Sequence, residues 1–351
     1  MTWKRLLVLL LLVTSASAAA GTDGARAYTN PVMDADFPDP MVIKVPDGSY
    51  YGYATQTERG GKWINIQLAR STDLVHWSYL GDALPQKPDW AARTQDFWAP
   101  HVIRSGARYI LYFSAKPNEV LTDPKSGLCL GVATASSPQG PFVDIGHPLR
   151  CGSGFVNIDP MVFDDPATGK RLLYWGSGFQ PLRVQQLSRD GLSFAPGSSP
   201  RDLVSPHGEK GPFPVLIEGS WVMRHGGWYY LFYSGDNCCG PKANYAVMVA
   251  RSRRATGPFE TLEQATGKPH SIILQQNAKW RAPGHNSVIA DRAGQDWIVY
   301  HAVDTGRPRE KPTDELNTRR ILLIDKIVWR DGWPVIDGPS SGPRAAPRIS
   351  H

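Results

Sequence analysis

Cysteine is scarce, with four residues in 351. That number excludes a disulfide-dense scaffold. Cys129, Cys151, Cys238 and Cys239 are spaced like no zinc site, and nothing around them suggests a catalytic thiol. Long apolar runs are missing too. Beyond residues 6–13 no stretch approaches the roughly 20 apolar residues of a membrane-spanning helix, so a membrane is not an expected partner. There is no basic stripe either. The chain carries 38 Lys and Arg against 32 Asp and Glu, a net of +6. The excess is scattered, and its densest group, Arg251, Arg253 and Arg254, reads as a solvated edge. Nucleic acid is therefore not an expected partner.

Glycine, proline and aromatics are plentiful, and they recur at an interval. Asp39-Pro40-Met41-Val42-Ile43 precedes Tyr51-Gly52-Tyr53-Ala54-Thr55. Ala99-Pro100-His101 precedes Tyr112-Phe113-Ser114, and Asp159-Pro160-Met161 precedes Tyr174-Trp175-Gly176-Ser177. Glu218-Gly219-Ser220 precedes Phe232-Tyr233-Ser234, and His285-Asn286-Ser287 precedes Val299-Tyr300-His301. The lead positions 39, 99, 159, 218 and 285 are 60, 60, 59 and 67 residues apart. Each unit reads as several short strands broken by Gly, Pro, Asp and Ser. A repeat of this length with about four strands is a propeller blade with generous loops. The expected fold is all-β, a single-domain five-bladed β-propeller over residues 28–340. It is preceded by a linker over 19–27 and followed by a tail over 341–351.

Residues 1–18 combine Lys4 and Arg5, a short apolar run and Ser15-Ala16-Ser17-Ala18, the pattern of a secretory signal peptide cleaved after Ala18. Loss of Lys4 and Arg5 leaves 36 basic against 32 acidic side chains, a net of +4. An exported, extracellular or periplasmic protein and a monomer are expected. Export permits disulfides. Cys129 and Cys151 bracket a Gly-Pro-Phe turn, so neighbouring strands could join them. Cys238 and Cys239 are adjacent, and either form a strained bridge with each other or pair elsewhere.

In a propeller the innermost strand of each blade lines a central channel, so equivalent repeat positions meet at one mouth of it. Here the ring holds Asp39, Ala99, Asp159, Glu218 and His285. Any one acid could cap a strand, but three acids together repel and raise one another's pKa, which is a poor device for stability. Three carboxyls with nearby aromatics suit glycoside hydrolysis, in which one acid protonates the leaving oxygen and another activates water or attacks. Phe37, Trp98, Trp175 and Trp221 lie beside the same landmarks as candidate sugar platforms, although most of the 12 Trp and 13 Tyr must fill blade interfaces.

Asp36-Phe37-Pro38-Asp39-Pro40, Trp98-Ala99-Pro100, Ile158-Asp159-Pro160, Ile217-Glu218-Gly219, Gly284-His285, Arg320-Ile321-Leu322-Leu323-Ile324-Asp325 and Asp331-Gly332-Trp333-Pro334 together resemble family 43 glycoside hydrolases. The resemblance spans residues 28 to about 340. It implies a five-bladed propeller that inverts the anomeric configuration and acts on α-L-arabinofuranosides or β-D-xylosides of plant cell walls. Matched motif by motif, Asp39 would be the general base, Glu218 the general acid, and Asp159 the third carboxyl that raises the pKa of Glu218 and orients it. Phe37, Trp98, Trp175 and Arg320 would contact the sugar, with Arg319 competing for the last role. His285 resembles an axial histidine that approaches a water or a calcium ion in the channel, with a plain hydrogen-bonded histidine as the alternative. No cofactor is required for the chemistry.

The compact length and Tyr174-Trp175-Gly176-Ser177-Gly178-Phe179 look closer to arabinan-degrading members. The expected substrate is thus an oligo- or polysaccharide such as arabinan or arabinoxylan, with a β-xylosidase as the near rival. A non-catalytic carbohydrate-binding propeller is the rival of another class, and it has no use for three ring carboxyls. The loop Ser234-Gly235-Asp236-Asn237-Cys238-Cys239-Gly240 is expected to border the pocket.

Overall fold

The computed structural model describes Met1 and residues 26–206, 215–311 and 318–349. The expected export segment and most of the linker lie outside the described residues. The rest is built almost wholly from short antiparallel strands; the only α-helix among the described residues is Leu262–Thr266.

Five sheets follow one another along the chain. The first is Met41–Lys44, Tyr50–Ala54, Gln67–Ser71 and Trp77–Asp82; the second is Trp98–Ser105, Arg108–Ala115, Cys129–Ala135 and Val143–Asp144. The third is Met161–Asp164, Arg171–Trp175, Arg183–Gln186 and Arg201–Asp202, and the fourth Ile217–His225, Trp228–Gly235, Ala246–Ser252 and Glu260–Thr261. The fifth begins with Trp280–Ala290, Asp296–Asp304 and Ile321–Arg330, and its outer strand is the N-terminal Met33–Asp36. This is the five-bladed propeller, closed by Met33–Asp36 against its last blade.

The second strands are nearly continuous apolar and aromatic runs because neighbouring blades cover both of their faces. Two-residue turns tighten several hairpins. Asp331 and Gly332 take φ +52° and +72°, the mirror-image turn geometry that matches strand twist. Five of the apolar clusters coincide with the five blade interfaces. The one between the first and second blades holds Tyr53, Phe97 and Phe113, and the one between the second and third holds Tyr112, Leu173 and Trp175. The other three join the third and fourth, fourth and fifth, and fifth and first blades.

The termini depart from the expected linker and tail. Ala27–Tyr28 pairs with Arg344–Ala345, and the Arg348 amide donates to Asp291 Oδ2 at 3.0 Å. Both segments are held at the fifth blade, the first also by the Tyr28 hydroxyl, which donates to the Ile324 carbonyl at 2.9 Å. Arg251 and Arg253 are not merely solvated. Arg253 lies 3.5 Å from the Trp228 ring centroid, and Arg251 lies between Trp228 and Trp333. Cys129 stands opposite Cys151 in register with the sulfurs at bonding distance, and so do the sulfurs of Cys238 and Cys239.

Candidate active site

The lead residues share a backbone conformation as well as a spacing. Asp39, Ala99, Asp159 and His285 have φ of +55°, +46°, +59° and +46°. For residues with a Cβ this left-handed region costs about 1–2 kcal/mol, so something must hold each one there. In four blades it is a buried side chain at the end of the preceding blade's second strand, which accepts the lead residue's N–H. Ala99 donates to Thr55 Oγ1 at 2.8 Å, Asp159 to Ser114 Oγ at 3.0 Å, His285 to Ser234 Oγ at 2.8 Å, and Asp39 to His301 Nδ1 at 3.0 Å.

The fourth blade breaks the pattern. Its left-handed residue is Gly219, φ +64°, so Glu218 stands one residue ahead of the repeat position. The Gly219 N–H donates to Asp159 Oδ2 at 2.9 Å, and Ser177, the fourth hydroxyl at this place in the repeat, donates to Glu218 Oε2 at 2.7 Å. Both groups that pair with each other in the remaining blades thus donate to carboxyl oxygens here.

Asp39, Asp159, Glu218, His285 and Arg320 all line one cavity of about 1010 Å³. Arg320 Nη1 donates to Asp39 Oδ1 at 2.8 Å and Thr55 Oγ1 to Asp39 Oδ2 at 2.5 Å. Burial alone would raise the Asp39 carboxyl. The Arg320 guanidinium, helped by the histidines and Thr55, outweighs it and holds Asp39 well below the usual carboxylate range. Asp159 moves the other way: burial and the charges of Glu218 and Asp39 push it far up, against the smaller effect of the Gly219 amide. The two acids at lead positions are thus pushed in opposite directions, Asp39 toward the carboxylate and Asp159 toward the neutral acid.

Arg319 is buried away from this pair. It bonds Glu310 at 2.9 Å and Asp34, which leaves Arg320 as the arginine on the acid. Trp98 lines the cavity as expected. Phe37 and Trp175 do not, and their expected sugar contacts are corrected. Each is 0% exposed, Phe37 in the interface of the fifth and first blades and Trp175 in that of the second and third. Trp221 packs on His101, with ring centroids 5.5 Å apart.

His285 Nδ1 lies 3.4 Å from Asp39 Oδ1 and 3.9 Å from Asp159 Oδ2, and burial lowers its pKa. Calcium takes six to eight oxygen ligands. His285 offers nitrogen, and the two carboxylates facing it already accept from Arg320, Thr55 and Gly219. Among the described residues no group of three or more His, Cys, Asp or Glu is arranged to hold an ion. This donor set does not fit calcium, and His285 is described by its place between two acids.

Tyr245, unremarked in the repeat, is fully buried with its hydroxyl donating to Glu218 Oε1 at 2.6 Å. Burial and the acids raise its pKa well above the usual tyrosine value, so the proton stays. Its ring lies parallel to His301, centroids 5.8 Å apart, and a Cβ on Gly284 would fall inside it. That explains the glycine before His285. Cys238 packs on Tyr245, and Cys238 and Cys239 both line the cavity, as the loop was expected to do. Repeat logic missed Tyr245, Trp63 and Phe155. Thr55 and Ser177 were legible, because the residue after each aromatic run is Thr, Ser or His in every unit.

Residues 28–334 match the sequence model for Glycosyl hydrolases family 43. The chain is 26% identical over 343 residues to Beta-D-galactofuranosidase xynD of Aspergillus niger, covering 93% of this chain and 87% of that protein. It is 29% identical over 337 residues to Probable arabinan endo-1,5-alpha-L-arabinosidase B of Aspergillus fumigatus, covering 84% of each. Among solved structures it is similar to a thermostable family-43 glycoside hydrolase, with a TM-score of 0.73 at 28% identity over 92% of this chain and 99% of that one.

Proposed function

The chain belongs to glycosyl hydrolases family 43, and we propose that it is a secreted, inverting hydrolase of α-L-arabinofuranosyl linkages in arabinan or arabinoxylan. Glycoside hydrolysis itself follows from the family. The observation that carries the mechanism is the opposed surroundings of the acids in one cavity: Arg320 bonds Asp39 and favours its carboxylate, whereas burial and the charges of Glu218 and Asp39 press Asp159 toward its neutral form. Asp39 takes a proton from water as the water oxygen bonds the anomeric carbon. The bond from that carbon to the leaving oxygen breaks, and the leaving oxygen takes the proton of Glu218. Asp159 fixes the Gly219 backbone beside Glu218 and opposes a second negative charge on the pair. No step needs a cofactor.

The arabinoside reading is supported by the arabinan-acting relative and by the Tyr174–Phe179 segment. A β-xyloside remains the second arm, and the galactofuranosidase relative adds a third. Secretion rests on residues 1–18. With it go disulfides between Cys129 and Cys151 and between Cys238 and Cys239, which alkylation before and after reduction tests.

The roles of the acids separate by leaving group. Glu218→Gln is expected to lose about two to four orders of magnitude in turnover of natural linkages and far less on dinitrophenyl glycosides, which depart without a proton. Asp39→Asn is expected to slow both alike. Steady-state rates on arabinofuranoside, xyloside and galactofuranoside substrates measure this and choose the sugar. Near-normal turnover by either variant would refute the assignment.

A further inference from the structure

Between the second and third strands of the first blade the chain inserts a hairpin, Thr57–Arg59 with Lys62–Ile64. Its turn, Gly60-Gly61, takes φ +56° and +74°, and a Cβ at either position would meet nothing within 4 Å. The hairpin is not loose at its base. Thr57 Oγ1 donates to Asp36 Oδ2 at 3.0 Å, and Arg59 lies 4.0 Å from the Tyr79 ring centroid. Asp36 in turn accepts the N–H of Arg320, the arginine on Asp39. The inserted hairpin is therefore tied to the catalytic ring.

On its second strand, opposite Glu58, stands Trp63, 54% exposed, and Trp63, Glu58, Gly60 and Gly61 all line the cavity. An indole left open to water on an anchored hairpin serves no core. Trp98 from the second blade and Phe155 from the approach to the third add aromatic lining, whereas among the described residues the fourth and fifth blades contribute no Phe, Tyr or Trp to it. The cavity volume lies at the upper end of the ~300–1,000 Å³ that holds a drug-sized ligand, so it has room beyond one sugar ring.

We propose that Trp63 forms a distal subsite, an aromatic platform for a sugar unit of the same glycan chain beyond the two that flank the cleaved bond. The ligand class is a neutral oligo- or polysaccharide whose ring presents an apolar face to the indole. The inference rests on the glycosidase reading above and adds the recognition of chain length.

The test compares wild type with Trp63→Ala and Trp63→Phe on the disaccharide and the tetrasaccharide of 1,5-linked arabinose and of 1,4-linked xylose. On whichever series the wild type cleaves, Trp63→Ala should lower kcat/KM for the tetrasaccharide about tenfold through lost apolar contact. The disaccharide should change less than twofold, and Trp63→Phe should recover most of the loss. Equal losses on both lengths would place Trp63 in the catalytic centre, and no loss on either would make it a bystander; both overturn the subsite. A wild type that cleaves neither series sinks the activity reading alone. Affinity electrophoresis then decides the subsite: Glu218→Gln protein should be retarded by arabinan or arabinoxylan, and less so when Trp63 is also alanine. Identical migration of the two in both gels overturns it.

Discussion

At the scale of the residue, the site is a set of acids sorted by what faces them. Asp39 and Asp159 both sit at left-handed lead positions, yet Arg320 faces one and carboxylates face the other. The pH dependence follows with opposite signs on its two limbs. Activity needs Asp39 ionised, and its folded pKa lies below the ordinary value, so the acid limb is displaced to low pH. Arg320→Met removes the largest of the effects that oppose burial, so the Asp39 pKa rises and the acid limb moves to higher pH. On the alkaline side, burial and the charges of Glu218 and Asp39 raise Asp159, so its ionisation contributes to that limb. Asp159→Asn should bring that limb down. Profiles of kcat/KM against pH measure both shifts; an acid limb unmoved by Arg320→Met would remove Arg320 as the cause. Tyr245 belongs to the same scale as a positioning residue. Tyr245→Phe removes one hydrogen bond to the acid, worth about 1.5–3 kcal/mol when a charged group is involved, so kcat should fall about tenfold or more with KM little changed. Dinitrophenyl glycosides should be spared, and a uniform loss on both substrate kinds would mean a general packing defect instead.

At the scale of the element, the repeat decided what was legible. Asp39 and Asp159 could be placed together because equivalent strand starts must meet at the channel mouth, whatever the loops do. Trp98 and Trp175 lie beside the same landmarks, yet one lines the cavity and the other fills a blade interface. A strand side chain changes face with a one-residue step, and a period of 60 residues does not fix that step. Glu218 shows the limit from the other side. Its repeat position belongs to Gly219, and only the backbone conformation reveals the offset. Tyr245 stands just before the third strand of its blade, where the first three units carry Ile66, Leu128 and Leu182, so the repeat gives no sign of a polar role, and Trp63 comes from a hairpin inserted in the first blade. The reassignment of Trp175 has a measurable consequence. Trp175→Ala should destabilise the fold by about 3–5 kcal/mol, the usual cost of emptying a large core site, while KM of the folded protein stays near wild type. A raised KM with unchanged denaturant midpoint would restore it to the sugar site.

At the scale of the whole molecule, a ring of blades has one seam, and here the seam is close to the chemistry. Met33–Asp36 closes the fifth blade, and three residues further on Asp39 starts the first. One short segment therefore both locks the ring and delivers the base. The arm before it is held by Asn30, a buried residue whose amide donates to Ile324 O at 2.8 Å and to Ser340 Oγ at 2.9 Å, and whose oxygen accepts from Ile324 N at 3.0 Å. Asn30 gives the backbone of the last blade the partners that a neighbouring strand would otherwise supply. Asn30→Ala strands the buried Ile324 N–H and leaves the Ile324 carbonyl with the Tyr28 hydroxyl as its side-chain donor, so denaturant unfolding should show a loss of about 1–3 kcal/mol. The lesion lies on the arm and not in the cavity, so kcat and KM below the transition should remain near wild type. Loss of activity should track unfolding along the same denaturant curve, because a ring opened at this seam also releases Asp39. A loss below about 0.5 kcal/mol, within the range of ordinary surface substitutions, would mean that Met33–Asp36 closes the ring without help from the arm.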